Sequence, residues 1–225
     1  MTLDARNAIV GRLRSGLANQ NTPSLRDELP PLPTLAPEQW RSRFVELLQA
    51  NHADVRVIDG SQAWPDAVQQ VLADYGVKRL ALGTSADAGT LHTHLSSRAD
   101  SVALSVADAA IDHRDTAQLD QLFAGTQAGF TRAAAALAES GSLVLETGPL
   151  EPRQLSLVPP LHIALVFEED ITASFQTLVE QRRWEGGMPT NLLLVSGPSK
   201  TADIQQTLAY GAHGPKELVV LLATR

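Results

Sequence analysis

Residues 217–223 of this 225-residue chain read ELVVLLA, and residues 191–195 read NLLLV. Runs this continuously apolar do not suit a strand with one wet face, which alternates apolar and polar residues. They predict strands covered on both sides, as in a parallel sheet between helical layers. Working outward, DVRVID (54–59), KRLALG (78–83), SVALSVAD (101–108), SLVLE (142–146) and LHIALVFE (161–168) complete seven candidate strands. Helical patterns fall between many of them. Pro37 opens one with Trp40, Phe44, Leu47 and Leu48 at helical spacing. Pro65 opens another, with Val68, Val71, Leu72 and Tyr75 inward and Gly76 ending it. Further helices are expected over 171–183, over 201–210 and in the alanine-rich stretch TRAAAALAE (131–139). Strands alternating with helices imply an α/β domain, a mostly parallel sheet flanked by helices.

The expected division is an N-terminal helix and proline-rich arm over 1–35, then the α/β domain over 36–225. The helix carries Ile9, Leu13 and Leu17 on one stripe. Five prolines between Pro23 and Pro37 then forbid helix and favour extended chain. Such an arm either lies on the body or on another subunit or stays disordered, and a homo-oligomer stays open.

Composition narrows the function. The formal net charge is -7 and no basic stretch occurs, which argues against nucleic acid and against anionic membrane surfaces. Cysteine is absent, which rules out disulfides, thiolate zinc sites, a cysteine nucleophile and a self-held all-cysteine iron–sulfur cluster. The first residues lack the apolar run of a signal peptide, and no stretch has the length of a membrane span, so a cytoplasmic protein is expected.

Ligands of open α/β sheets bind outside the carboxyl ends of strands. Three such ends stand out. After NLLLV come Ser196, Gly197, Pro198, Ser199, Lys200 and Thr201. With a helix starting near Pro198, free N–H groups, three hydroxyls and Lys200 would hold a small anion. Equally, Ser199 would simply cap that helix and Asp203 complement its dipole. Second, Glu139, Ser140 and Gly141 form a turn before SLVLE, where a carboxylate can act as nucleophile, base or ligand, or stand as an exposed turn residue. Third, Gly83 and Thr84 follow KRLAL and suit either a phosphate or an ordinary turn.

His92 and His94 have no well-placed third ligand, so no metal is expected. His162 reads as a packed or capping residue, and His52 and His113 sit in polar contexts. His213, in GAHGPKE, is a candidate ligand residue with a topological difficulty. If 191–197, a helix and 217–222 form a parallel βαβ unit, His213 lies at the sheet edge opposite Ser199. No G-x-S-x-G, G-x-G-x-x-G or H-E-x-x-H occurs, so hydrolase, dehydrogenase and zinc-protease readings lack support.

The block SGPSKTADIQQTLAYGAHGPKELVVLL, with SGPS, TADI and HGP in that order, resembles the LUD-domain family, specifically its lactate utilization protein C group. ALAESGSLVL resembles the family's Ala-Glu-Thr-Gly turn with Ser140 in place of threonine, and Lys200 stands where arginine is usual. RQLSLVPPLHIALV also matches, so the likeness runs from about Leu80 to the end. The resemblance implies a sugar-phosphate isomerase/CoA-transferase-like fold. It also implies a place in oxidising L-lactate to pyruvate beside iron–sulfur partner proteins, with no cofactor bound by this chain. By analogy with a glutamate of CoA-transferases of that fold, it marks Glu139 as a candidate catalytic residue. It also strengthens Ser196–Thr201 as ligand candidates, beside which Asp203, Gly141 and His213 stand as further candidates. Alternatives are a stand-alone enzyme on a small phosphate or acyl ester using Glu139, and a non-catalytic assembly or regulatory protein.

Overall fold

The computed structural model describes residues 3–18, 35–58, 60, 62–98, 102–107, 115–182, 184, 187, 189, 191–202, 208–210 and 213–224. The chain divides after Thr34. The first unit holds helix α1 (Leu3–Ala18), where Ile9 and Leu13 are exposed. Most of the expected proline arm lies outside the described residues.

The second unit is built on a six-stranded sheet in the order β1 (Asp54–Ile58), β12 (Glu217–Ala223), β7 (Leu161–Phe167), β4 (Ala128–Arg132), β2 (Arg79–Leu82), β3 (Ala103–Val106). Every neighbouring pair is parallel. The run ELVVLLA is thus a central strand, and Val219 to Leu221 are wholly buried. Its alternate residues enter two cores. Val219, Leu221 and Ala223 join Ile163 and Leu165 under helices α3 (Trp64–Asp74) and α4 (Ala86–Ser96). Leu218, Val220 and Leu222 join Ala164 and Val166 under helix α2 (Pro37–Ala50) and a second sheet. Two covered faces explain why the strand needs no polar residue between its ends.

The second sheet runs β8 (Ile171–Thr172), β5 (Ala135–Leu137), β6 (Ser142–Thr147), β9 (Asn191–Val195). Here β6 is antiparallel to both β5 and β9, whereas β5 and β8 are parallel. Three expectations change. The alanine-rich stretch forms the end of β4 and all of β5 rather than a helix. Its small side chains pack on both faces of the second sheet, Ala133 and Ala136 in the core between the sheets and Ala135 with Leu178 of the helix that follows β8. Tertiary pairing overrides alanine's helix preference there. The helix expected over 171–183 is shorter. Ile171 and Thr172 pair with β5, and helix α7 (Phe175–Arg182) follows, with Ser174 Oγ accepting from the Thr177 N–H at 3.1 Å. Strand NLLLV is not doubly covered either: it is the edge of the second sheet, and Leu194 is 50% exposed.

Nor does a helix start at Ser199. Strands β10 (Lys200–Ala202) and β11 (Leu208–Tyr210) pair antiparallel, while 203–207, including Asp203, lie outside the described residues. Helices α5 (Thr116–Phe123) and α6 (Gln154–Leu157) complete the elements that bear on the site. Phe123 and Leu155 pack with Ala81 on the sheet face opposite Leu80 and Leu82.

From β2 the chain continues outward to β3, returns to β4, and then proceeds through β7 to β12 in the other direction. The gap between the carboxyl ends of β2 and β4 is therefore a topological switch point, the usual ligand crevice of open α/β sheets.

The β5–β6 hairpin turns against α2. Gly141 has φ +63°, and a Cβ there would lie 2.5 Å from Leu47 Cβ. Gly141→Ala should lower stability by about 1–2 kcal/mol for the left-handed backbone and about 1–3 kcal/mol more for overpacking. A urea midpoint unchanged from wild type would show that hairpin and helix yield freely.

Candidate functional site

Two hollows open at opposite ends of the central strands. The larger, about 580 Å³, lies at the switch point. Arg132 ends β4 and reaches into it. Its guanidinium pairs with Asp170, stands 3.4 Å from Asp87 and donates to the Ala133 carbonyl. It also lies 4.5 Å over the Phe167 ring, a cation–π contact. Glu151 accepts from Ser85 Oγ at 2.7 Å and from the Arg132 N–H at 3.1 Å. Burial pushes the Glu151 carboxyl above its ordinary value, opposed by those two hydrogen bonds. On the far wall Arg182 pairs with Glu146 at 2.9 Å and donates to the Ala134 carbonyl at 2.8 Å.

Gly83 and Thr84 support this hollow from beneath. Thr84 N–H donates to the Leu150 carbonyl at 2.8 Å, and a Cβ on Gly83 would lie 2.2 Å from that same oxygen. Only glycine lets the 148–151 loop, and Glu151 with it, sit this close to the end of β2. The helix expected over 131–139 overlaps strand AGFTR (128–132) and so conceals the arginine at that strand's carboxyl end. The carboxylates that meet Arg132 come from distant segments, and no spacing announces them.

The smaller hollow, about 180 Å³, lies at the amino ends of β7 and β12. Ser196, Gly197, Pro198 and Ser199 line it together with His213, Gly214, Ser156 and His162. The topological difficulty over His213 disappears, because β9 and β12 belong to different sheets and no βαβ unit joins them. The Ser199 N–H donates to the Pro215 carbonyl at 2.8 Å, which clamps the two loops. Lys200 is exposed on β10 and is not among the lining residues, and the side chain of Thr201 is outside the described set. With no helix here, the proposed dipole and free helical N–H groups fall away. What remains are hydroxyls and imidazoles, with no acidic side chain among the described lining residues.

Glu139 lines neither of these hollows. Its N–H donates to the Ala173 carbonyl at 3.0 Å, and its carboxylate accepts from the Phe175 N–H at 3.3 Å, at the start of α7. The turn still communicates with the smaller hollow. Ser140 Oγ lies 2.8 Å from Ser142 Oγ, which lies 2.7 Å from Ser196 Oγ, an unbroken hydroxyl chain. Gly197 packs on the end of α2, where a Cβ would lie 2.8 Å from the Asn51 carbonyl oxygen.

His162, wholly buried, is hydrogen-bonded through Nε2 to Thr131 Oγ1 at 2.8 Å. Burial lowers its pKa to about 4. The ring is therefore neutral in the fold while the unfolded chain binds a proton below its ordinary value of 6.5. The stability this neutral ring retains is complete above that value and is lost as pH falls toward 4. Unfolding at about pH 5 should cost roughly 2 kcal/mol less than at about pH 7.5, and His162→Gln should remove that difference. Equal pH dependence in the variant would assign the acid limb to other groups.

Among the described residues no group of three or more His, Cys, Asp or Glu is placed to hold a metal ion, and no helix is long and apolar enough to cross a membrane.

Residues 41–223 match the family model described as the LUD domain. An uncharacterized protein of Neisseria meningitidis serogroup B is 52% identical over 102 residues, 45% of this chain and 44% of its own length. A protein named lactate utilization protein C from Shouchella clausii is 32% identical over 107 residues, 46% of this chain and 47% of its own. Another so named, lactate utilization protein C 1 from Bacillus mycoides, is 37% identical over 91 residues, 39% of each chain. The chain spans about half the length of the curated relatives it matches. A crystal structure of a DUF162 family protein from Deinococcus radiodurans superposes with a TM-score of 0.56 at 20% identity, covering 84% of this chain and 99% of that one. That likeness concerns the fold. With a family match running from α2 to the end of the last strand, the chain belongs to the LUD domain family.

Proposed function

We propose that this chain is a cluster-free subunit or accessory protein of a cytoplasmic system that oxidises L-lactate to pyruvate. In this reading it binds a small anion in the hollow between Ser196–Ser199 and His213. Relatives named lactate utilization protein C support the pathway. The absence of cysteine supports the division of labour, since the electron-carrying clusters would then sit on iron–sulfur partners. The observation that carries the ligand is the lining itself: three serines and two histidines, with no carboxylate among the described residues to repel an anion. At about 180 Å³ the space suits a ligand of a few heavy atoms, well below the ~300–1,000 Å³ of drug-sized sites. Glu139, engaged with the start of α7, orients the hairpin that presents Ser142 to Ser196.

Two measurements test this. Calorimetry with pyruvate and with L-lactate should show binding that weakens about 10- to 100-fold in Ser199→Ala/His213→Ala, the loss of two hydrogen bonds, with an unchanged melting temperature. Undiminished binding in the double variant would move the ligand elsewhere. A strain with no other lactate oxidase should lose growth on L-lactate when this gene is deleted and regain it on complementation. Normal growth of the deletion strain would end the pathway assignment.

A further inference from the structure

The hollow at the β2–β4 switch point has the opposite chemistry from the anion hollow, and the Proposed function makes no use of it. Four carboxyl groups, on Asp87, Glu146, Glu151 and Asp170, face two guanidiniums among the described lining residues. Both guanidiniums are already committed. Arg132 is held by Asp170, Asp87 and the Ala133 carbonyl and stacks on Phe167, and Arg182 is held by Glu146 and the Ala134 carbonyl. An entering anion would have to displace an internal carboxylate from its arginine. A donor-rich cation would not, because the arginines approach one oxygen each of Asp87 and Glu146 and a carboxylate accepts several hydrogen bonds.

The place is built rather than incidental. It lies where strand order reverses, the crevice in which open α/β sheets hold ligands. The loop bearing Glu151 is seated there by a contact with Gly83 that no larger residue permits. Its volume, about 580 Å³, is ample for a small organic molecule. Pro149 and Leu150, the latter 58% exposed, offer apolar surface beside the charges, suited to the methylene stem of an amine.

We propose that the switch-point hollow between Arg132, Glu151 and Glu146 is a second ligand site, taking a small organic cation with an amine or guanidine head on a short aliphatic stem. The cation bridges Asp87 and Glu146 across the cleft and leaves the arginine pairs intact. The site is independent of the anion hollow, which lies at the opposite end of the sheet.

The test is a titration of the ¹⁵N-labelled full chain with agmatine at low ionic strength, followed through backbone amide shifts. Saturable shifts are expected at Ser85, Thr147, Gly148 and Glu151, reversed by added salt. Affinity should fall about tenfold or more in Asp87→Asn/Glu146→Gln. Ser199→Ala/His213→Ala should leave agmatine binding unchanged, which separates this proposal from the anion assignment. Should the acidic-site variant fail to fold, inorganic phosphate and glycerol titrated into the wild type decide the matter, since neither should compete. The proposal is overturned by an absence of saturable shifts. It is equally overturned by undiminished binding in a folded Asp87→Asn/Glu146→Gln variant, or by phosphate or glycerol shifting the same amides more tightly than agmatine.

Discussion

The parallel pairing of β7 with β12 is the constraint on which the rest depends. All seven residues of each strand are in register, from Leu161 opposite Glu217 to Phe167 opposite Ala223. Nearly every side chain on the two strands is buried, alternately in the core under α3 and α4 and in the core shared with α2 and the second sheet. Fully burying a leucine or valine is worth about 1.5–3 kcal/mol, so a shift of register by one residue would swap two complete sets of core contacts. The pair therefore fixes where the strand ends lie, and the strand ends carry both hollows.

Those hollows differ because different structural layers close them. At the carboxyl ends the walls bring charged residues from β4, α4, α7 and the 148–151 loop together, with four carboxyl groups against two guanidiniums. At the amino ends the wall is the end of β9, which runs antiparallel in the second sheet and so carries Ser196–Ser199 to the beginning of β7 and β12. The same antiparallel geometry puts Ser196 across from Ser142, which completes the hydroxyl chain from the Glu139 turn. A buried neutral His162, near the start of β7, lines this hollow.

The hollow at the amino ends shows how residues expected to act together can meet on a different local structure. The sequence predicts a helix from about Pro198, whereas Ser196–Ser199 form a loop that leads into strand β10. The residues nonetheless meet His213 in one hollow, because both loops flank β12's entry into the sheet and are clamped by the Ser199–Pro215 hydrogen bond. The switch-point hollow shows the reverse. Gly83 and Thr84 were legible as a turn after a strand, but the side chains they position were not. Arg132, Glu151 and Asp170 are far apart in sequence, and alanine's helix propensity concealed the strand that ends in Arg132.

By itself the sequence determined the strands with long apolar runs, the proline-led helices α2 and α3, the α/β class and the family. Those follow from local periodicity and from short motifs that survive without context. Tertiary structure alone decided that the alanines of β5 form a strand, that NLLLV is a half-exposed edge, and that His213 faces Ser199. Each of these depends on which sheet a segment joins, and that choice is made by long-range pairing and core volume, which no local window of residues contains.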